Sequence, residues 1–342
     1  MKASARRASK PPGGVRLEDV ARVAGVSPIS VSRALGNPGR VSEAMRRKVA
    51  EAVAKTGFVL NSHASTLKSG RSTLIPVFVS SIQNAHFANA LQGASDAFEG
   101  SRYHLVMAQT NYSDRLEQEM VDSVLPFKPA AVMFTGMVQS KGTRETLKRL
   151  AVPVMEMWDY SPTPIDMLVG FSNAEGGRLM GEHFGQRGFR KIAYAGRTRD
   201  RGAQRLAGFQ EGLALYGSAP ALVLPMEGPR TVADGGAALE RILQQLPDCE
   251  AIFFATDSLA LGAILRAAEL EIEVPKTLAI AGYGDLDIAR HIAPSLTTIH
   301  VGAYDMGLRA GKMLRARLES KELASTILRC PIQLEVRTST TP

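Results

Sequence analysis

Residues 17–42 read LEDVARVAGVSPISVSRALGNPGRVS, and the middle of that run, Ser27 to Arg33, decides what kind of molecule this is. Ile29 and Val31 alternate with Ser30 and Ser32 in the two-residue period of a half-buried strand. As a strand, the segment carries proline at its second position and has no partner among short helical neighbours. As a helix, every residue finds a role. Ser27 is a good N-cap, its hydroxyl able to accept from the first free backbone N–H groups. Pro28 suits the first helical position because the N–H it lacks is unpaired there anyway. Val31, Ala34 and Leu35 then share one face, placed to pack on Val20, Val23 and Ala24 of the preceding helix. Ile29 and Arg33 point away, with Ser30 and Ser32 on the flanks.

Working outward, Glu18–Ala24, Pro28–Leu35 and Ser42–Lys55 read as three short helices divided by Gly25 and by GNPG at 36–39, and Asn61–Lys68 as a fourth. Two helices joined by a tight turn, the second with small polar residues and an arginine outward, form a helix-turn-helix. Its second helix is suited to a DNA major groove, where Arg33 either pairs with guanine acceptors or clamps a phosphate. Charge points the same way. The first 72 residues hold 14 Lys+Arg against 4 Asp+Glu, a net of +10, while the rest of the chain is net −2. This is a polyanion-binding head on a near-neutral body.

At 342 residues the chain is long enough for about two domains with a small third. From Leu74 onward, short apolar runs alternate with amphipathic helical segments: LIPVFV, YHLVMAQ, AAVMFTG, VPVMEMW and MLVGF, then KIAYAG, ALVLP, AIFFAT, LAIAGYG and LTTIHV. Runs with little internal alternation imply buried parallel strands covered by helices. The expected fold is α/β, a two-lobed doubly wound core behind an N-terminal all-α helix-turn-helix headpiece. Residues 1–14 are basic without an apolar signal core, no run is long enough to span a membrane, and only Cys249 and Cys330 are present. Two buried free thiols, a cytoplasmic address and no membrane partner are therefore expected. No GxSxG, HExxH, P-loop or metal-spaced Cys/His cluster appears, so no enzyme, metal site or cofactor is expected.

The run from Val15 to Ser72 resembles the headpiece and hinge of the lactose/galactose repressor family. HFGQRGFRKIAYAG, RLAGFQEGL, FFATDSLALGAI and SLTTIHV extend the likeness over most of the chain. The resemblance implies a homodimeric repressor that binds a pseudo-palindromic double-stranded operator, with a core like periplasmic sugar-binding proteins. Its expected organisation is a disordered basic tail (1–14), the headpiece (15–60), a hinge helix and linker (61–73) and two lobes. The first lobe takes 74–188 plus 300–322, and the second 189–299 plus 323–342. Pro28, Ile29 and Arg33 fall at the family's base-reading positions, with Ser27, Ser30, Ser32 and Asn37 at phosphate positions. Ala64, Leu67 and Lys68 match the hinge helix, where Leu67 wedges into a minor-groove base step. A periplasmic-type sugar-binding protein without DNA function is the alternative, disfavoured by the basic headpiece.

VMEMWDYSPTPIDMLVGFSN, at 154–173, is similar to the gluconate-operon repressors within that family, which implies a sugar-acid effector, gluconate or its 6-phosphate, rather than a neutral sugar. The residues agree. Arg197, Arg199, Arg201 and Arg205 lie in the loop after KIAYAG, at the carboxyl end where α/β clefts bind ligands, and arginine clamps carboxylates in a bidentate manner. A solvated basic loop is the competing account. AGYGDLD places Gly284 where sugar- and purine-binding relatives carry aspartate, which removes a carboxylate from the pocket and leaves Asp285 one step on. His86, Phe87, Asn173, Thr256 and Asp257 are further effector candidates from strand ends; His86 reads equally as a core or surface histidine, and Trp158 as a candidate or simple packing.

Overall fold

The computed structural model describes residues 15–36, 38–58, 72–226 and 231–341. They belong to two compact units, Met1–Ser72 and Thr73–Pro342.

Among the described residues the first unit holds three α-helices, α1 (Leu17–Ala24), α2 (Pro28–Gly36) and α3 (Glu43–Thr56). α1 ends because Gly25 takes the left-handed conformation, φ 58°, which lets the Val26 N–H turn back to Ala21 O at 3.1 Å. α2 starts as its sequence requires: Ser27 Oγ accepts from the Ser30 N–H at 3.1 Å. α3 is capped by Ser42, whose hydroxyl accepts from the Met45 N–H. Val20, Ala21, Ala24, Val31, Ala34, Val49 and Ala52 form the core. Val23 does not join it, being 49% exposed. On the helical wheel Val20, Ala24 and Ala21 span an arc of about 100° with Val20 at one edge, and Val23 falls about 60° beyond that edge.

The second unit opens with β1 (Leu74–Val79), α4 (Ala85–Ala97), β2 (His104–Gln109), α5 (Asp114–Val124), β3 (Val132–Phe134), α6 (Lys141–Arg149), β4 (Val154–Met157) and β5 (Met167–Gly170). It continues through α7 (Asn173–Gln186), β6 (Ile192–Gly196), α8 (Asp200–Ala214), β7 (Leu222–Pro225), α9 (Val232–Gln245), β8 (Ala251–Phe254), α10 (Asp257–Glu269) and β9 (Ala279–Ala281). It closes with β10 (Thr298–His300), α11 (Ala303–Leu318), β11 (Ile327–Arg329) and β12 (Gln333–Glu335). One parallel sheet runs β11-β5-β4-β3-β1-β2, the other β7-β6-β8-β9, and β10 pairs antiparallel with β12. β3, β4, β8 and β9 are buried at every position, as strands covered on both faces must be. Between the layers Phe184, Tyr194, Phe209 and Phe253 interlock in tilted and edge-on contacts.

α11 docks on α4 of the first lobe, where Arg315 Nη1 donates to Ala97 O (3.0 Å) and Glu99 O (3.2 Å) and Tyr304 Oη to Asp96 (2.7 Å). The placement of 323–342 wholly in the second lobe is corrected at β11. Ile327–Arg329 runs parallel to β5 and closes the edge of the first sheet, whose backbone groups there need a partner. Cys249 and Cys330 are buried free thiols, and burial pushes the Cys249 thiol up to about 12. Among the described residues no helix is long and apolar enough to cross a membrane.

Candidate functional site

In the first unit, the residues that α1 and α3 do not cover are the expected readers. Ser27, Pro28, Ile29, Ser32 and Arg33 are exposed and Ser30 half-buried. Ile29 shows 68% of its surface, unusual for an isoleucine on a helix with a core of its own. Ser27 and Ser30 share a hydroxyl pair at 2.9 Å, and among the described residues no carboxylate lies within ion-pair distance of Arg33. The helix thus presents, from its N-terminus, small hydroxyls, an apolar branch and a free guanidinium, the set that reads base edges and phosphates. Asn37, Ala64, Leu67 and Lys68, with the 1–14 tail and the 61–68 helix, lie outside the described residues.

In the second unit, a cavity of about 80 Å³ opens among the loops that follow β1, β2, β4, β6, β8, β9 and β10. Of the expected effector residues, His86, Phe87, Trp158, Arg197, Arg199, Arg201, Arg205 and Thr256 line it. The arginines are held differently. Arg197 Nη2 pairs with Asp200 at 3.2 Å, and its guanidinium lies 4.9 Å from the Tyr112 ring centre. Arg201 donates to Thr135 O at 3.1 Å, and its guanidinium lies 5.4 Å from the Phe87 ring. Arg205 is a strut: Nε bonds Asn173 Oδ1 at 2.8 Å, Nη1 bonds Ala255 O at 2.6 Å, and the group stacks 3.9 Å from the Tyr283 ring centre. Arg199 is exposed on the rim.

Four buried polar atoms of the residues lining this cavity, His86 Nε2, Arg197 Nε, Thr256 Oγ1 and Tyr283 Oη, have no hydrogen-bond partner among the described residues. Such atoms are costly to bury unless something polar meets them. Burial, and then the charge of Arg205, lower the His86 pKa to about 4, so its ring is neutral at ordinary pH. Asp200 is the one carboxylate lining the cavity among the described residues.

Three expected effector residues are corrected, because the structure turns them away from the wall. Asn173 is fully buried and orients Arg205 while its Nδ2 donates to Asp159 Oδ1 at 2.8 Å. Asp257 is fully buried, accepting from Thr298 Oγ1 and from the Leu286 N–H, both at 2.6 Å, and burial pushes its pKa up to about 6. Asp285 faces Arg337 (2.7 Å), His300 (2.9 Å) and Arg290 (3.8 Å). Burial opposes its charge, but hydrogen bonds from His300 and Arg337 prevail and hold its carboxyl below the usual range. Asn84, Tyr112, Asp200 and Tyr283 also line the cavity, and sequence reasoning missed them. Tyr283 had a signal, an aromatic between two glycines, whereas Tyr112 sits at φ 57° in a loop without periodicity.

Comparison with known proteins completes the picture. Residues 16–61 match "Bacterial regulatory proteins, lacI family", and residues 182–340 match a periplasmic binding protein-like domain. The HTH-type transcriptional regulator GntR of Pseudomonas aeruginosa is 31% identical over 330 residues, 96% of each chain. The chain belongs to the lacI family of bacterial regulatory proteins. GntR of Escherichia coli K12 is 29% identical over 91% of this chain and 94% of its own length. A lacI-family transcriptional regulator from Silicibacter pomeroyi shares the fold with a TM-score of 0.90 at 27% identity, covering 96% of this chain and 100% of its own. The lac repressor dimer bound to operator and the anti-inducer ONPF shares the fold at TM-score 0.77 and 24% identity, covering 96% of this chain and 99% of its own. As a member of this family the chain is a DNA-binding transcriptional repressor, with a helix-turn-helix and a periplasmic-binding-protein-like core; its relatives are regulators, not enzymes.

Proposed function

We propose that this repressor binds a pseudo-palindromic operator as a homodimer and is controlled by a small sugar acid, gluconate or 6-phosphogluconate, held in the cavity between its lobes. The observation that carries the effector reading is the imbalance of charge on the cavity wall, four arginines against Asp200. A neutral sugar gives guanidinium groups nothing that water does not, whereas a carboxylate offers them paired, charge-assisted hydrogen bonds. Arg197, with an unpaired Nε in the wall, and Arg201 are the groups placed to take it; Arg205 braces Tyr283 behind them.

Ile29 and Arg33 read bases in the major groove, Ile29 against a thymine methyl, while Pro28 starts the helix beside them and Ser27, Ser30 and Ser32 hold phosphates. The homodimer is supported by β2, whose outer edge has no strand partner among the described residues and which exposes Val106 and Met107, an apolar edge that a second copy covers. Effector binding shifts the population of lobe arrangements, and with it the operator-competent state.

A thermal-shift panel of gluconate, 6-phosphogluconate and glucose tests the effector. A ligand at 100 times its Kd adds about 2.7 kcal/mol of stability. One of the two acids stabilises the wild type, glucose does not, and Arg197→Ala removes the shift. Equal stabilisation by glucose refutes the acid assignment, and an acid that binds without changing operator affinity refutes the control.

A further inference from the structure

A second cavity, of about 210 Å³ against about 80 Å³ for the effector cavity, lies where the chain crosses between the lobes. Residues 301–302 lead from β10, which pairs with β12 and is bridged to Gly284, into α11, which docks on α4 of the first lobe. Residues 330–332 lead back from β11, on the edge of the first sheet, to β12. Both crossovers and the first two turns of α11 line this cavity, and Val301 is the one described residue it shares with the effector cavity.

Its wall has an apolar part and a charged part. Val301, Met306 and Cys330 are buried and Ile332 half-buried, and together they form a continuous apolar surface. An apolar cavity of about 150 Å³ admits benzene, so this one has room for a branched aliphatic or aromatic side chain. Asp305 and Arg309, one turn apart on α11, are exposed beside it. An aspartate four residues before an arginine ordinarily pairs with it along a helix. Here the two are not joined, and among the described residues neither has an ion-pair or hydrogen-bond partner, whereas Arg315 and Arg317 of the same helix are taken by Glu319 at 2.8 Å and Asp166 at 3.0 Å. One cavity therefore borders a free cation, a free anion and an apolar surface. A carboxylate alone satisfies Arg309 and is repelled by Asp305, and an amine alone does the reverse. A molecule carrying both charges next to an apolar body satisfies all three.

We propose that this cavity is a second small-molecule site that takes a free α-amino acid with an apolar side chain, its carboxylate on Arg309, its ammonium on Asp305 and its side chain against Val301, Met306, Cys330 and Ile332. Gluconate has neither the ammonium nor the apolar body, so the site is distinct from the one assigned to the sugar acid and does not rest on that assignment.

The test uses the full-length protein. L-Valine, L-leucine and L-phenylalanine are titrated calorimetrically, and L-leucine is compared with 4-methylpentanoate, which lacks the ammonium, and 3-methylbutylamine, which lacks the carboxylate. At least one amino acid binds, and each truncated probe binds about 10-fold or more weaker than L-leucine. Arg309→Gln and Asp305→Asn each weaken the tightest amino acid by about 10-fold or more, with unfolding transitions and sugar-acid affinity unchanged. Cys330 supplies a local readout. Its thiol is buried in this wall and burial pushes its pKa up, so iodoacetamide attacks it slowly; the bound amino acid slows that attack by a further 10-fold or so, while Cys249, in the core of the second lobe, keeps its rate. No binding by any of the three amino acids overturns the proposal. So does 4-methylpentanoate binding as tightly as L-leucine, which makes the site one for simple anions. Full affinity in both variants, or no protection of Cys330, places the binding elsewhere and overturns it too. Failure of gluconate and 6-phosphogluconate to bind refutes the sugar-acid reading and leaves each of these results as it stands.

Discussion

The headpiece and the core place their functional groups on opposite sides of their packing. In the headpiece the core is seven small residues, valines and alanines, and the groups proposed to read DNA, Ser27, Pro28, Ile29, Ser30, Ser32 and Arg33, are left outside it. In the core unit, large aromatic rings fill the space between layers, and buried polar atoms without hydrogen-bond partners among the described residues belong to residues lining the cavity, His86, Arg197, Thr256 and Tyr283. A surface that must fit many base edges needs only a platform. A pocket that must distinguish small polar molecules needs unsatisfied groups held rigidly where water is scarce, and rigidity takes a large core.

That contrast predicts where a single truncation does most damage. Phe253 is fully buried with ring centres 4.9 Å from Phe209 and 5.6 Å from Tyr194. Phe253→Ala lowers stability by about 3 to 5 kcal/mol, since a cavity of that size cannot collapse among ordered rings. Denaturant unfolding checks it, and the core transition moves while the headpiece, whose fully buried residues are valines and alanines, keeps its own. A loss under about 1 kcal/mol breaks the comparison, because the aromatic cluster then yields as easily as the headpiece.

Arg33→Ala is the opposite experiment. Among the described residues the Arg33 side chain makes no hydrogen bond or ion pair in the headpiece, so stability changes by less than about 0.5 kcal/mol, whereas operator binding falls by about 1 to 3 kcal/mol. Competition with random-sequence DNA sharpens the assignment. A loss confined to operator means a base contact, and an equal loss on both, with a shallower salt dependence, means a phosphate contact. Normal operator affinity removes Arg33 from the interface.

The same contrast explains what was legible. Ile29 and Arg33 were readable because helical periodicity and the cap at Ser27 are local, and the structure starts α2 at Pro28 as that reading requires. The parallel strands were readable as apolar runs between helices, and the arginine loop after β6 as a cleft feature. Side-chain direction at strand ends was not. Asp257 and Asp285 occupy the right ends of β8 and β9, yet Thr298 and Arg337, far along the chain, turn them away from the cavity. β11 and β12 escaped because ILR and QLE lack the apolar runs that marked the equally short β3 and β9, and what fixes them is the edge of β5 and the pairing with β10.

The smallest effect tests how thin the headpiece is. Ser27→Ala removes the hydrogen bond to the Ser30 N–H and the hydroxyl pair beside it, a loss of about 1 kcal/mol. Ser172→Ala is its counterpart in the core unit, where Ser172 Oγ accepts from the Glu175 N–H at 3.1 Å at the start of α7. Both caps lose the same chemistry, so the free-energy cost is equal within about 0.5 kcal/mol; the consequence is not. About 1 kcal/mol shifts the unfolding temperature of a 60- to 100-residue domain by roughly 4 to 8 °C and of a 150- to 250-residue one by roughly 2 to 4 °C. Calorimetry on each single variant therefore shows the larger shift in the headpiece transition, with operator affinity falling in Ser27→Ala and effector affinity unchanged. Equal temperature shifts in the two units would mean that the headpiece draws its stability from more than its own seven-residue core.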